Sequence, residues 1–319
     1  MGVPTLMALR RRLGLAAAAL LAATAFAAAQ ADDAGLTGAL AKIARTGEVV
    51  VAARDDAAPF SFRDRAGRPV GYSIDLCEAI VEEIGRTLGR DDLRVAFKPV
   101  TAETRLAAVI SGDADLECGA TTATAERARV VSFSPLIFVA GTRILVRKGT
   151  PWRDFHDLAG KRIAVTAGTT NLAVMTTLND SFRLAMTLVA TPDHEQAFRL
   201  LGDGEVDGFA ADDVLLAGLL ARHHARDRLE VVGEMLSYEP YGIVYRHDDL
   251  PMKEAVERAF ATLAASNDLA WTYARWFERR LPNGELLGIP MSPQLEAAFG
   301  LLREPANAEP KEAPGGGGG

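Results

Sequence analysis

From residue 47 onward, hydrophobic positions along the chain alternate between two periods. "EVVVAAR" (48–54) and "LRVAFKPV" (93–100) read as strands. Between them, Leu76, Ile80, Ile84 and Leu88 stand four residues apart, which predicts an amphipathic helix over 75–88 ended by Gly89. "PFSFRDRAGRPVGYS" predicts a hairpin turning at Ala66-Gly67. "ETRLAAVISG" predicts a helix closed by Gly112, and "ADLECG" the next strand. A second block repeats the pattern. "RIAVTAG", "MTLVAT", "VDGFAAD" and "LEVVGE" are strands, separated by helices in "TTNLAVMTTL", "PDHEQAFRLLGDG" (with Pro192 in its first turn) and "DVLLAGLLARHH". This alternation predicts an α/β fold with mostly parallel sheets. Two extended segments, 138–149 and 239–249, flank the second block and fit two crossings between a pair of lobes. Helices near 251–266 and 268–280 would then return to the first lobe. No short internal repeat is visible.

The amino terminus follows a different logic. Arg10, Arg11 and Arg12 precede an Ala/Leu-rich run from Leu13 to Ala28, and Ala29-Gln30-Ala31 fits a small-x-small cleavage site. Residues 1–31 are therefore expected to be a secretory signal peptide; the run is shorter than the roughly 20 apolar residues a membrane span needs. Its removal takes away three arginines and no acids, moving the formal net charge from −7 to −10. With 49% hydrophobic residues, the remainder can bury a sizeable core. An acidic chain without a basic block argues against nucleic-acid binding, so any anion site must rely on local cations. The carboxyl-terminal tail, 305–319, is rich in Pro, Gly and Ala and is expected to be disordered.

Metal and redox chemistry find little support. The five histidines, His156, His194, His223, His224 and His247, form no cluster with cysteines at metal-ligand spacing. His223 and His224 read as a cationic helix end. No nucleotide-binding loop is present, and no cofactor or metal is expected. An exported chain permits a disulfide between Cys77 and Cys118, but the sequence leaves open whether the two meet.

Several stretches, in their order and spacing, resemble a known family. They are "LAKIARTGEVVVAARDDAAPFSF", "VGYSIDLCEAIV", "VTAETRLAAVISGDADLECGATTATAERARVVSFS", "FVAGTRILV", "DLAGKRIAVTAGTT", "DHEQAFRLLGDGEVDGFAADDVLLAG" and "EPYGIVYRHDD". The chain resembles, from about 36 to about 300, the periplasmic substrate-binding proteins for polar amino acids that serve ABC importers, and more narrowly their glutamate/aspartate-binding branch. The resemblance implies a type II periplasmic binding protein fold: two α/β lobes joined by a two-strand hinge. Lobe 1 would comprise 36–140 plus 242–304, and lobe 2 would comprise 141–241. It also implies a periplasmic monomer that binds an acidic amino acid and delivers it to a membrane permease.

The same resemblance assigns roles. Arg127 matches the residue that forks onto the ligand α-carboxylate, with Thr122 assisting. Thr169 and Thr170, at a helix start after Gly168, would complete that cradle, although an ordinary helix cap fits them equally. Asp212, at a strand's carboxyl end, would pair with the α-ammonium, or else cap the following helix. Arg54, Arg105 and His194 match cationic positions for a second carboxylate, and an anion beside His194 would favour its protonated form. Phe60 would lay its ring on the ligand. Ala102 and Ala120 depart from the family pattern, where serines are usual, which leaves the choice among glutamate, aspartate and a related diacid open. Two other functions compete with transport: an enzyme on the same fold, such as a periplasmic cyclohexadienyl dehydratase, and a ligand sensor. Glu103 and Glu117 are the acids nearest the socket motifs, and no nucleophilic triad is evident.

Overall fold

The computed structural model describes residues 36–281 and 284–303. The expected signal peptide and carboxyl-terminal tail lie outside them. Beside a small antiparallel sheet of β2 (Asp56–Ala57), β3 (Ser61–Arg63) and β4 (Pro69–Val70), two five-stranded sheets form two halves. The first comprises, in spatial order, β5 (Arg94–Pro99), β1 (Glu48–Ala53), β6 (Leu116–Glu117), β15 (Val244–Arg246) and β7 (Val131–Phe133). The second comprises β11 (Thr187–Thr191), β10 (Arg162–Thr166), β12 (Gly208–Asp212), β9 (Thr142–Arg147) and β13 (Leu229–Val232). A two-stranded antiparallel ribbon, β8 (Phe138–Ala140) with β14 (Glu239–Tyr241), joins the halves, pairing Glu239 with Ala140 and Tyr241 with Phe138.

The sheets are less parallel than the alternation predicts. In each, two neighbouring pairs are parallel and two antiparallel. The two crossings explain this. A strand leaving the ribbon enters its sheet in the opposite sense from the strands built by β-α units, so β9 and β15 run against their neighbours.

The expected helices form where the periodicity places them. Tyr72–Leu88 buries Leu76, Cys77, Ile80 and Ile84, and Gly89 ends it in the left-handed region. It packs on the returning helix Leu250–Ala265, which buries Met252, Val256 and Phe260. A π-helical turn, Ala274–Glu278, follows the helix Asp268–Tyr273. Pro192 differs from expectation: it precedes Asp193, which caps the helix His194–Gly202 by accepting from the Gln196 N–H. Two further helices, Gly38–Thr46 and Pro293–Arg303, carry too short a periodic signal to stand out in the sequence. Cys77 and Cys118 are joined in a disulfide, which ties the helix 72–88 to the residue after β6.

Candidate functional site

The two halves meet across a cleft. Gly168, at φ +73°, lies on the second half, and a Cβ there would fall 2.6 Å from the Glu103 nitrogen on the first. Gly218 comes as close to Ala58: its Cβ would fall 2.1 Å from the Ala58 carbonyl. Side chains bridge as well. The Arg127 guanidinium donates to the Thr122 carbonyl at 3.0 Å and, across the cleft, to the Gly168 carbonyl at 3.3 Å. The hydroxyls of Thr122 and Thr170 stand 3.4 Å apart. The His194 N–H donates to Asp56 Oδ2 at 2.9 Å.

Between the halves lies a small cavity, to which Arg54, Arg105, Ala120, Thr122, Thr169 and Thr170 contribute, with Asn171, His194, Asp212 and Leu215. Arg127 lies next to it, on an open groove that shares Thr122, Thr169 and Thr170 with the cavity. Eight of the nine residues singled out from the sequence are thus brought to one place.

The ninth, Phe60, is elsewhere. Its ring is fully buried among Tyr72, Phe138, Tyr241 and Phe277, with ring centroids 5.2 to 6.0 Å away. Edge contacts of this kind satisfy the ring within the core, so no face is left for a ligand. Phe60 packs instead against Tyr241, whose hydroxyl donates to Asp212.

Local structure fixes each remaining group. Arg54 follows β1 directly, and its N–H donates to Ser61 Oγ at 2.9 Å. Its guanidinium forks onto Asp56, Nε to Oδ1 at 2.8 Å and Nη2 to Oδ2 at 2.7 Å. Arg105 is the first residue of the helix Arg105–Ile110 and donates to the Ala120 carbonyl at 2.9 Å. That carbonyl therefore already accepts from an arginine. Thr169 caps its helix, accepting from the Leu172 N–H, and donates to the Thr166 carbonyl at 2.6 Å. Asp212 makes no such cap: its side chain accepts from Asn171 at 2.7 Å and from Tyr241.

Other residues complete the cluster. Asn171 also donates to Thr142 Oγ1, which contacts Ser237, which in turn donates to Glu239. Glu239 accepts from Thr170 as well, at 2.7 Å, so a hydrogen-bonded chain runs from Asp212 to Thr122. Asp56 and Glu117 supply further carboxylates. Glu117 is buried, accepts from the Thr121 hydroxyl at 2.7 Å and interacts with Arg54, Arg105 and Arg127. Asp56 stands two residues after Arg54 in the sequence, across a bend at Asp55.

Burial dominates the electrostatics. It lowers the Arg105 pKa to about 9, against the pull of Glu117, which still leaves a cation at neutral pH. It also lowers Arg127. Asp212 is raised to about 6, by burial first; its hydrogen bond from Tyr241 opposes this and Glu239 adds to it. His194 is lowered to about 3 by burial, which outweighs Asp56; Arg54 and Arg105 push the same way as burial. The imidazole is therefore neutral, the reverse of the protonated form expected beside an anion. Among the described residues, Arg105 Nε, Glu117 Oε1, His194 Nε2 and, away from the cavity, Glu195 Oε1 are buried without a hydrogen-bond partner. Buried polar atoms left unpaired are uncommon in native structures, where water or a ligand meets them.

The sequence profile of the bacterial extracellular solute-binding proteins, family 3, matches residues 49–279. A glutamate/aspartate import solute-binding protein of Escherichia coli is 37% identical over 287 residues, covering 89% of this chain and 95% of its own. An L-glutamate/L-aspartate-binding protein of Pseudomonas aeruginosa is 37% identical over 284 residues, covering 88% and 93%. Among solved structures, an ancestral amino acid-binding protein described as a precursor of cyclohexadienyl dehydratase superposes with a TM-score of 0.65 at 26% identity, covering 75% of this chain and 99% of its own.

Proposed function

The chain belongs to the bacterial extracellular solute-binding proteins, family 3, and on that premise we propose that it captures an acidic amino acid between two closing lobes and hands it to the membrane permease of an ABC importer. The glutamate/aspartate names of the 37%-identical relatives support this ligand class. The observation that carries the reading is the meeting of Arg54 and Arg105 with Asp212 in one cavity built from both halves. An amino acid zwitterion needs that combination, because either of its charges buried alone costs several kcal/mol.

In this reading lobe 1 is 36–140 with 242–304, lobe 2 is 141–241, and the ribbon of β8 and β14 is the hinge. Arg127 takes the α-carboxylate, with Thr122, Thr169 and Thr170 donating around it. Asp212 takes the α-ammonium, which favours its ionised form. Arg105, Arg54 and His194 receive the distal carboxylate. Each lobe contributes part of the socket, so the ligand stabilises the closed form through contacts that only this form offers. The protein acts in the periplasm as a monomer and uses no cofactor.

Replacing Arg127 by alanine is expected to abolish calorimetrically measurable binding of every amino acid. Retained tight binding would remove Arg127 from this role. A second reading draws on the structural neighbour related to a dehydratase and on Asp212, whose raised pKa suits an acid that gives up a proton. Recovery of the added ligand separates the two: a binder returns it unchanged, and a dehydratase does not.

A further inference from the structure

Two residues that line the cavity, Arg54 and His194, already hold a carboxylate. Both arms of the Arg54 fork rest on Asp56, and Asp56 Oδ2 also accepts the N–H of His194, the first residue of the helix His194–Gly202. A guanidinium fork and a helix-terminal amide are the donors that a ligand's distal carboxylate would require. We propose that Asp56 is a resident substitute for that distal carboxylate, and that it sets how strongly the site prefers acidic amino acids over their amides. This rests on the reading of the cavity as an amino-acid site.

The physical case is one of charge and room. Asp56 is 8% exposed and Arg54 is 1% exposed, so water screens neither. Burial would raise the Asp56 pKa, but Arg54 and the backbone N–H of His194 outweigh it and hold the group well below the usual carboxylate range, so it is an anion. A glutamate distal carboxylate placed beside it brings two like charges together in a buried space. The guanidinium edge that Asp56 occupies, Nε with Nη2, cannot serve both. Glutamate must therefore displace Asp56 from that edge, or rest its distal group beside Asp56 on the Nη1 side of Arg54 or on Arg105, whose Nε is unpartnered. The carboxamide of glutamine has no net charge and meets neither cost. The buried acids near the cavity point the same way: Asp56, Glu117, Asp212 and Glu239 face the three arginines Arg54, Arg105 and Arg127.

Calorimetric titration of L-glutamate and L-glutamine into the wild type and into Asp56→Asn tests this. The wild type is expected to bind the two ligands within about tenfold of each other. The variant is expected to shift the ratio toward glutamate by at least about tenfold, or about 1.4 kcal/mol. Loss of the Asp56 contact to His194 weakens closure on both ligands alike, so the ratio is insensitive to a merely structural role. The wild-type arm stands even where the variant fails to fold: a preference for glutamate beyond about a hundredfold would overturn the proposal. An unchanged ratio in a folded variant would also overturn it. Absence of any amino-acid binding by folded wild type is a separate result; it would remove the amino-acid reading itself and the proposal with it.

Discussion

Asp212 and His194 are two buried titratable groups whose shifts have opposite consequences. Asp212, raised to about 6, binds a proton in the folded state that the unfolded chain, with an ordinary aspartate near 3.9, binds only in more acid solution. Its contribution to stability therefore falls as pH rises toward 6. His194, lowered to about 3, stays neutral where the unfolded chain protonates near 6.5, so its contribution falls as pH drops through 6.5. Each slope is at most about 1.4 kcal/mol per pH unit, and between about pH 4 and 6 they oppose one another. Urea unfolding at pH 7 and pH 5 checks this. On acidification the wild type should lose stability relative to His194→Gln and gain it relative to Asp212→Asn; the same sign for both would contradict the assignment. Binding adds a further expectation. An ammonium beside Asp212 favours the carboxylate, so affinity should rise with pH up to about 6 and then level off, a rise that Asp212→Asn should abolish.

At the scale of elements, the disulfide and the Gly168 turn each make a distinct demand. Closing the 41-residue separation between Cys77 and Cys118 restricts the unfolded chain, and loop-entropy reasoning puts the stabilisation at about 4 kcal/mol, with about 2–5 kcal/mol typical on removal. The double serine variant should lose that much in chemical denaturation; a loss under about 0.5 kcal/mol would mean the bridge contributes little. Gly168→Ala should act differently, since its φ of +73° and its approach to Glu103 both strain a Cβ. Affinity should fall more than stability, because the contact with Glu103 crosses the cleft. Most elements are legible because their signal is local. The four-residue spacing of Leu76, Ile80 and Ile84 gives the helix, and Gly112 ends the next one. What escapes is set by distant partners. Nothing near Phe60 tells that Tyr72, Phe138, Tyr241 and Phe277 enclose it, or that Asn171, rather than a backbone amide, holds Asp212. The strand at 116–117 is too short for periodicity to bound it. The site was legible as a set of cations from the family resemblance, but the carboxylates that offset them, Asp56 above all, depend on which side chains face each other after folding.

For the whole molecule, the contacts that cross the cleft describe a closed state. Arg127 to Gly168, Thr122 to Thr170 and His194 to Asp56 are individually modest, and all are lost when the halves separate. A ligand that also touches both halves shifts the balance by its differential affinity alone. At a hundred times its dissociation constant, it should stabilise the fold by about 2.7 kcal/mol. Two short strands, β8 and β14, carry the chain between the two sheets, so closure needs only a few backbone torsions to change. The most direct measurement is a calorimetric titration of the purified wild type with glutamate and with aspartate, followed by solution scattering with and without the better ligand. Saturable one-to-one binding of at least one of them, with a smaller radius of gyration when bound, is the expected result. No binding of either by folded protein, or binding with no change in dimensions from an open unliganded form, would contradict capture of an acidic amino acid between closing lobes.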